Sequence, residues 1–294
     1  MRVTGWGATD PGRKRDHTED SFLCNDRLGL YAVADGMGGH LGGERASHMA
    51  IQILERCLAS QSLDVTADES TPAAVAVDLG AHGAWQPRSE LGRGDAGGEH
   101  HPPQPSPEHA PTPWPTATPL STAEGLRGAI AEADRSIYDS SLADPAFQGM
   151  GTTLTAILFA NQRAYVGHVG DSRAYRARDG GFEQLTEDHS WIQDQVRAGI
   201  LSAQEARESR FRNIITRSVG FEPAVRPDIQ DLEVRSGDRF VICSDGLSNH
   251  LSTEEIGRVV AGHPTPDVPG VLVAQANARG GDDNITCICI EITE

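Results

Sequence analysis

Short acidic turns standing at the ends of strand-like apolar runs constrain this chain more than any other feature. Residues 29–34 run into Asp35-Gly36-Met37-Gly38-Gly39, residues 165–170 end in Asp171, and residues 239–244 run into Asp245-Gly246. Gly280-Gly281-Asp282-Asp283-Asn284 stands directly before the apolar run 285–292. Asp-Gly after an apolar run is also the strongest short hairpin signal, so any one of these turns could be only a turn. Carboxylates at strand ends can, however, converge from distant parts of a chain. Hard oxygen ligands so arranged suit Mg²⁺ or Mn²⁺ far better than zinc. A metal-dependent phosphoryl-group hydrolase is the expectation.

The order of the turns adds to this reading. Arg15-Asp16-His17-Thr18-Glu19-Asp20 precedes Asp35-Gly36, and then come Gly151-Thr152-Thr153, Gly170-Asp171-Ser172-Arg173, Ser244-Asp245-Gly246 and Asp283-Asn284. That order and spacing resemble the protein phosphatase 2C family, the metal-dependent serine/threonine phosphatases, in its compact bacterial form. The resemblance covers nearly the whole chain apart from one interior insertion.

At 294 residues the chain can bury a sizeable core, and motifs at both ends favour one domain over 1–294. A formal net charge of −17 argues against non-specific nucleic-acid binding, which needs basic surface to neutralise phosphates. The five cysteines include no Cys-x-x-Cys pair and leave an odd count, so neither a disulfide framework nor a zinc site is indicated. Residues 1–6 lack the apolar core of a signal peptide, and runs such as 154–160 are too short to span a bilayer. A soluble, cytoplasmic protein without a membrane partner is expected.

Helical periodicity begins near Gly43, with Ala46, Ala50, Ile53, Leu54 and Cys57 on one face, and resumes at 124–140 through Leu126, Ile130, Ala133 and Ile137. Between them, about 61–121, lies a Pro/Gly/His-rich, aromatic-poor tract whose composition predicts a disordered insertion. Strands are expected at 152–160, 163–169, 173–177, 229–234, 239–244 and 285–292, and short helices at 188–199 and 202–209. Ser202 with Glu205, and Ser252 with Glu255, read as capping boxes. Adjacent antiparallel strands with helix pairs between the blocks point to an α+β fold of two packed sheets flanked by helices. The resemblance implies the same four-layer α-β-β-α sandwich.

Hydrolysis of a phosphate monoester is extremely slow unaided, and a two-metal site can both activate water and neutralise the phosphoryl oxygens. By resemblance, Asp35 bridges two Mn²⁺ or Mg²⁺ ions, the Gly36 carbonyl completes one site, and Asp245 and Asp283 hold the other ion. Glu19 and Asp20 match an acidic pair that acts through metal-bound waters, and Asp171 matches a ligand of a third, weaker metal. Arg15 matches the phosphate-binding arginine, whose guanidinium can bind a phosphoryl group bidentately. Thr18 stands where the family often has asparagine, and Met37 where some eukaryotic relatives carry histidine. No histidine acid is therefore assigned, although His40 and His189 could serve chemically. Residues 186–220 resemble the flap beside the active site.

The expected activity is hydrolysis of phosphoserine and phosphothreonine in proteins by direct attack of metal-activated water, without a phosphoenzyme. The resemblance implies a bacterial serine/threonine kinase as the opposing enzyme, its substrates as partners, and a monomer. Three rivals differ in class or context. A non-catalytic phosphoprotein-binding module would be expected to lose Asp35, Asp245 or Asp283. A partner-switching phosphatase usually carries attached sensor domains. A two-metal nuclease would need basic stripes.

Overall fold

In a computed structural model of the chain, the structure describes residues 1–64, 119–209, 211 and 213–294. Five strands form one antiparallel sheet in the order β1 (Arg2–Asp10), β11 (Ile285–Thr293), β10 (Arg239–Cys243), β7 (Arg173–Arg178) and β8 (Gly181–Gln184). The second sheet runs β2 (Asp20–Asn25), β3 (Leu30–Met37), β5 (Leu154–Ala160), β6 (Arg163–Val169) and β9 (Asp228–Glu233), with the two-residue β4 (Gly151–Thr152) pairing the end of β3.

Strand alternation assigns each face a different job. On the inner faces Tyr31 and Val33 of β3, Ile157 and Phe159 of β5, Phe240 and Ile242 of β10, and Ile288, Ile290 and Ile292 of β11 form one apolar cluster between the sheets. Phe159 meets Tyr31 and Phe240 edge to face, at ring-centroid separations of 5.8 and 5.2 Å. Each such side chain contributes about 1.5–3 kcal/mol by leaving water. On the outer faces, α1 (His40–Asp64) and α2 (Pro119–Ala143) cover the β3 sheet, burying Ala46, Leu54, Leu126, Ile130 and Ile137 against Ala32, Ala156 and Tyr165. The helices α6 (Thr253–Gly262) and α7 (Val268–Ala278) cover the other sheet through Ile256, Val260, Leu272 and Ala276 against Val241, Cys287 and Cys289. The expected α-β-β-α sandwich is therefore the fold.

Two expectations need correction. Helix α1 extends to Asp64 and α2 begins at Pro119, so 61–64 and 119–121 belong to helices and not to the insertion. The remainder of that tract, 65–118, lies outside the described residues. Strand 152–160 is two strands, β4 and β5, because Thr153 leaves the ladder to bind the backbone of Asp35. The capping boxes are both present, opening α4 (Ala203–Glu208) and α6. With α3 (Trp191–Arg197), α4 lies in the flap segment. Among the described residues no helix is long and apolar enough to cross a membrane.

Candidate metal centre

The inner rows of the sandwich change character at one end. Two residues beyond Val33 the row on β3 reaches Asp35, and the cross-strand partner of Asp35 on β2 is Asp20. Along β10 the row Phe240, Ile242 ends at Ser244, and along β11 the row of isoleucines ends at Thr286. Thr155 on β5 and His168 on β6 complete a polar, buried end to an otherwise apolar interior.

The strand ends and their turns deliver the carboxylates. Asp35 is gripped through its backbone: its N–H donates to Thr153 Oγ1 (2.9 Å), while Thr153 N–H and Thr152 Oγ1 both donate to its carbonyl (2.9 Å each). The Gly-Thr-Thr strand entry thus anchors the turn from behind. Gly36 permits a close approach of α1. A Cβ there would lie 2.1 Å from Gly43 O and 2.6 Å from Glu19 O, so no other residue fits. Asp245 opens the short α5 (Asp245–Ser248), and its Oδ2 accepts from Asn249 Nδ2 at 3.0 Å. Asp245 lies near enough to Asp35 for its charge to bear on that carboxylate. Asp20 Oδ2 accepts from Ser244 Oγ at 2.8 Å.

Asn284 joins the two sequence ends. Its Oδ1 accepts from Glu19 N–H (2.7 Å), and its Nδ2 donates to the carbonyls of Pro11 (3.1 Å) and His17 (2.9 Å). The loop bearing Arg15 and Glu19 is thereby docked on the turn bearing Asp283. Arg15 Nη2 lies 2.9 Å from Asp283 Oδ2, with the arginine side chain half-exposed. Asp171 sits on the turn after β6, and Arg173 beyond it forms a two-pronged pair with Asp188, with Nη2 to Oδ2 at 2.6 Å and Nε to Oδ1 at 2.9 Å.

Burial and mutual repulsion raise the carboxylate pKa values. Asp20 rises to about 7, first by burial and then by the charges of Asp245 and Asp283. Asp245 rises to about 6, by burial and then by Asp283. Asp35 is pushed well above the usual range by burial and by Asp20, Asp245, Asp171 and Asp283, and Asp171 likewise by burial and by Asp245 and Asp188. Asp20 Oδ1 and Asp171 Oδ1 are buried without a hydrogen-bond partner. Unsatisfied, like-charged oxygens at this density are costly unless a cation joins them. The donor set is all oxygen, as Mg²⁺ and Mn²⁺ prefer. Among the described residues no three His, Cys, Asp or Glu side chains close on one point tightly enough to hold an ion as they stand.

A cleft of about 510 Å³ opens from Asp171 and Asp245 between α3 and the residues 248–255. It is bordered by Ile192, Gln193 and Val196 of α3. The structure thus brings Asp20, Asp35, Asp171, Asp245 and Asp283 within one electrostatic neighbourhood, with Gly36 next to Asp35 and Arg15 paired to Asp283.

Residues 13–265 match the family described as Protein phosphatase 2C. The chain therefore belongs to the protein phosphatase 2C family, and it is an enzyme of the phosphatase class. It is 30% identical over 291 residues to the serine/threonine phosphatase stp of Listeria monocytogenes, covering 96% of this chain and 93% of that protein. Among solved structures it is similar to the serine/threonine phosphatase PstP/Ppp of Mycobacterium tuberculosis, with a TM-score of 0.75 and 28% identity over all of both chains. A structure of the PstP catalytic domain in complex with 2 manganese ions superposes with a TM-score of 0.72 at 29% identity, over 100% of this chain and 99% of that one.

Several positions carry weight that the sequence reading left unassigned. Asn284 is part of a motif without an assigned role, and its three-way docking depends on main-chain groups that sequence does not reveal. Ser244 and Thr286 sit at inner positions of their strands, and period-2 counting from the isoleucines would have found them. His189 is buried, 4% exposed, with both ring nitrogens engaged, and does not face the cleft as an acid would.

Proposed function

We propose that this chain hydrolyses phosphoserine and phosphothreonine in proteins at a binuclear Mn²⁺ or Mg²⁺ centre. The observation that carries the reading is the gathering of aspartates from β2, β3, α5 and the turns before β7 and β11, of which Asp20 and Asp171 are buried and have unpartnered oxygens. Asp35, the Gly36 carbonyl, Asp245 and Asp283 would hold the two ions, and Asp171 a third. Glu19 and Asp20 would act on them through water. When bound, such ions supply a water nucleophile at neutral pH and neutralise charge on the phosphoryl oxygens.

The chain's own groups supply the rest. Arg15 is half-exposed, and its guanidinium can exchange the Asp283 carboxylate for two phosphoryl oxygens. Ser244 holds the Asp20 carboxylate, and Thr152 and Thr153 hold the backbone from which the Asp35 side chain projects, so ordering is done before substrate arrives. The buried cysteines have thiols raised by burial, Cys243 to about 12, which opposes a cysteinyl-phosphate route.

The reading extends to a single catalytic domain over 1–294, a monomer in the cytoplasm, and an opposing serine/threonine kinase whose substrates it shares. Names of the relatives support the substrate class. The test is phosphate release from a phosphothreonine peptide with Mn²⁺ and with EDTA. Turnover that requires the metal is expected, and metal-independent turnover or none would reject the proposal.

A further inference from the structure

Two consecutive residues at the root of the flap hold the Asp171 turn from both sides. Asp188 clamps Arg173, two residues after Asp171. His189 takes the residue before it. The His189 N–H donates to Gly170 O at 2.7 Å, and the Gly170 N–H donates to His189 Nδ1 at 3.0 Å. Both polar backbone groups of Gly170 therefore end on one residue. Gly170 has φ +113°, and a Cβ there would lie 2.6 Å from Thr153 Cβ, so neither a larger residue nor an ordinary backbone conformation can replace this arrangement.

The bond from Gly170 also fixes the imidazole. Nδ1, which accepts from the Gly170 N–H, cannot carry the proton in that bond, so Nε2 carries it and donates to Asp228 Oδ2, 3.1 Å away, with Arg217 Nη1 3.0 Å from the same nitrogen. Arg217, at the far root of the flap, donates to the other oxygen of the same carboxylate at 2.9 Å. Thr216 N–H donates to the His189 carbonyl at 2.8 Å, which joins the two flap roots at this residue. Beneath it lies His168, its ring centroid 4.6 Å away. His168 Nε2 lies 3.1 Å from Glu187 O and its Nδ1 2.9 Å from Thr155 Oγ1, so the residue preceding the clamp pair is also fixed. Burial lowers the pKa of His189, and lowers that of His168 to about 3, consistent with two neutral rings.

We propose that His189 is the positioning residue for Asp171: its ring sets the Gly170 peptide, and with it the direction of the Asp171 carboxylate, and links that carboxylate to the Arg217–Asp228 closure of the flap. This rests on the reading of Asp171 as a metal ligand. A partner that orients a ligand typically changes metal affinity by about 10–100-fold when lost.

Two substitutions separate the ring's two bonds. In His189→Asn the amide oxygen occupies the place of Nδ1 and can accept from Gly170, whereas in His189→Gln the polar group reaches toward Asp228 and the Gly170 N–H loses its acceptor. Mn²⁺ binding is read by titration calorimetry, and the Mn²⁺ midpoint of phosphopeptide turnover in parallel. The expected result is weakening of the weakest Mn²⁺ by about 10-fold or more in His189→Gln and by less than about 3-fold in His189→Asn. In an Asp171→Asn background, His189→Gln should add less than about 2-fold, because the two act as one unit. Equal effects of Asn and Gln, or additivity with Asp171→Asn, would overturn the proposal. Should His189→Gln fail to fold by circular dichroism, Asp228→Asn at the half-exposed end of the network carries the test: a shift of about 3-fold in the same direction is expected, and an unchanged midpoint overturns it. Wild-type Mn²⁺ binding by Asp171→Asn alone would instead remove the ligand reading on which the proposal stands.

Discussion

The two ends of the same inner rows obey opposite rules. At one end, Phe159, Phe240 and Ile290 are fully buried and satisfied by packing alone, and Tyr31 beside them needs only one hydrogen bond, from its hydroxyl to Asp26 Oδ1 at 2.7 Å. At the other, Asp20 and Asp35 occupy inward positions on β2 and β3, and burial and neighbouring carboxylates raise both in pKa, Asp245 and Asp283 acting on Asp20 and Asp20 foremost on Asp35. The apolar end stabilises the fold through area removed from water. The acidic end opposes it, since each buried carboxylate must either take up a proton or be joined by a cation. One sandwich thus contains a source of stability and a site that spends part of it, continuous along single strands.

The sharpest test of that contrast pairs one substitution from each end. Asp245→Asn should lower turnover by about 10³-fold or more, because it removes a carboxylate of the centre, and should raise the melting temperature in EDTA. Phe240→Ala should do the reverse in stability, costing about 3–5 kcal/mol by opening a cavity between the sheets. If Asp245→Asn lowered the metal-free melting temperature as Phe240→Ala does, the contrast would fail.

A smaller effect is expected at Arg15. Arg15→Lys keeps the charge but loses the two-pronged fork, and should raise KM for phosphopeptide by about 10-fold, or ~1.4 kcal/mol, without changing Mn²⁺ binding. Identical kinetics for the two proteins would take Arg15 out of phosphate recognition.

The smallest effect is on pH dependence. Asp20 and Asp245 have folded-state values raised to about 7 and about 6, above the ordinary aspartate value of 3.8. The folded protein therefore holds protons that the unfolded chain has released, and that contribution is present at low pH and lost as pH rises through 6 to 7. In EDTA the melting temperature should fall between pH 5 and pH 8 by on the order of 5 °C, and the drop should be smaller in Asp20→Asn. A flat profile that Asp20→Asn leaves unchanged would show that these carboxylates are not strained by their setting.

Much of this was legible before any coordinates. The acidic turns after 29–34, 165–170 and 239–244 stand where the expectation put them, at the ends of β3, β6 and β10. Both capping boxes are formed, with Ser202 N–H to Glu205 Oε2 at 2.8 Å and Ser252 N–H to Glu255 Oε2 at 2.9 Å. Helix α7 was not legible, because Val268–Ala278 is apolar nearly all round and shows no 3.6-residue stripe. Pro269 sits in its first turn, where a missing N–H costs nothing. Strand β1 is absent from the expected strands, and Gly5 and Gly7 weaken its pattern because glycine is disfavoured within strands. In the fold they make room for the rings of Tyr31 and Phe22, which a Cβ would approach to 2.3 and 2.5 Å. The supports of the site were hardest to see, since Asn284 and His189 act on backbone groups brought near only by the tertiary fold.

The central claim is that the acidic end exists to hold divalent cations, and a direct count of bound metal tests it. Equilibrium dialysis against Mn²⁺ should give at least two ions per wild-type chain. Asp35→Asn, folded by circular dichroism, should retain fewer than about one, since Asp20, Asp171, Asp245 and Asp283 all bear on that carboxylate. Wild-type occupancy in Asp35→Asn, or no bound Mn²⁺ in the wild-type protein, would contradict the account.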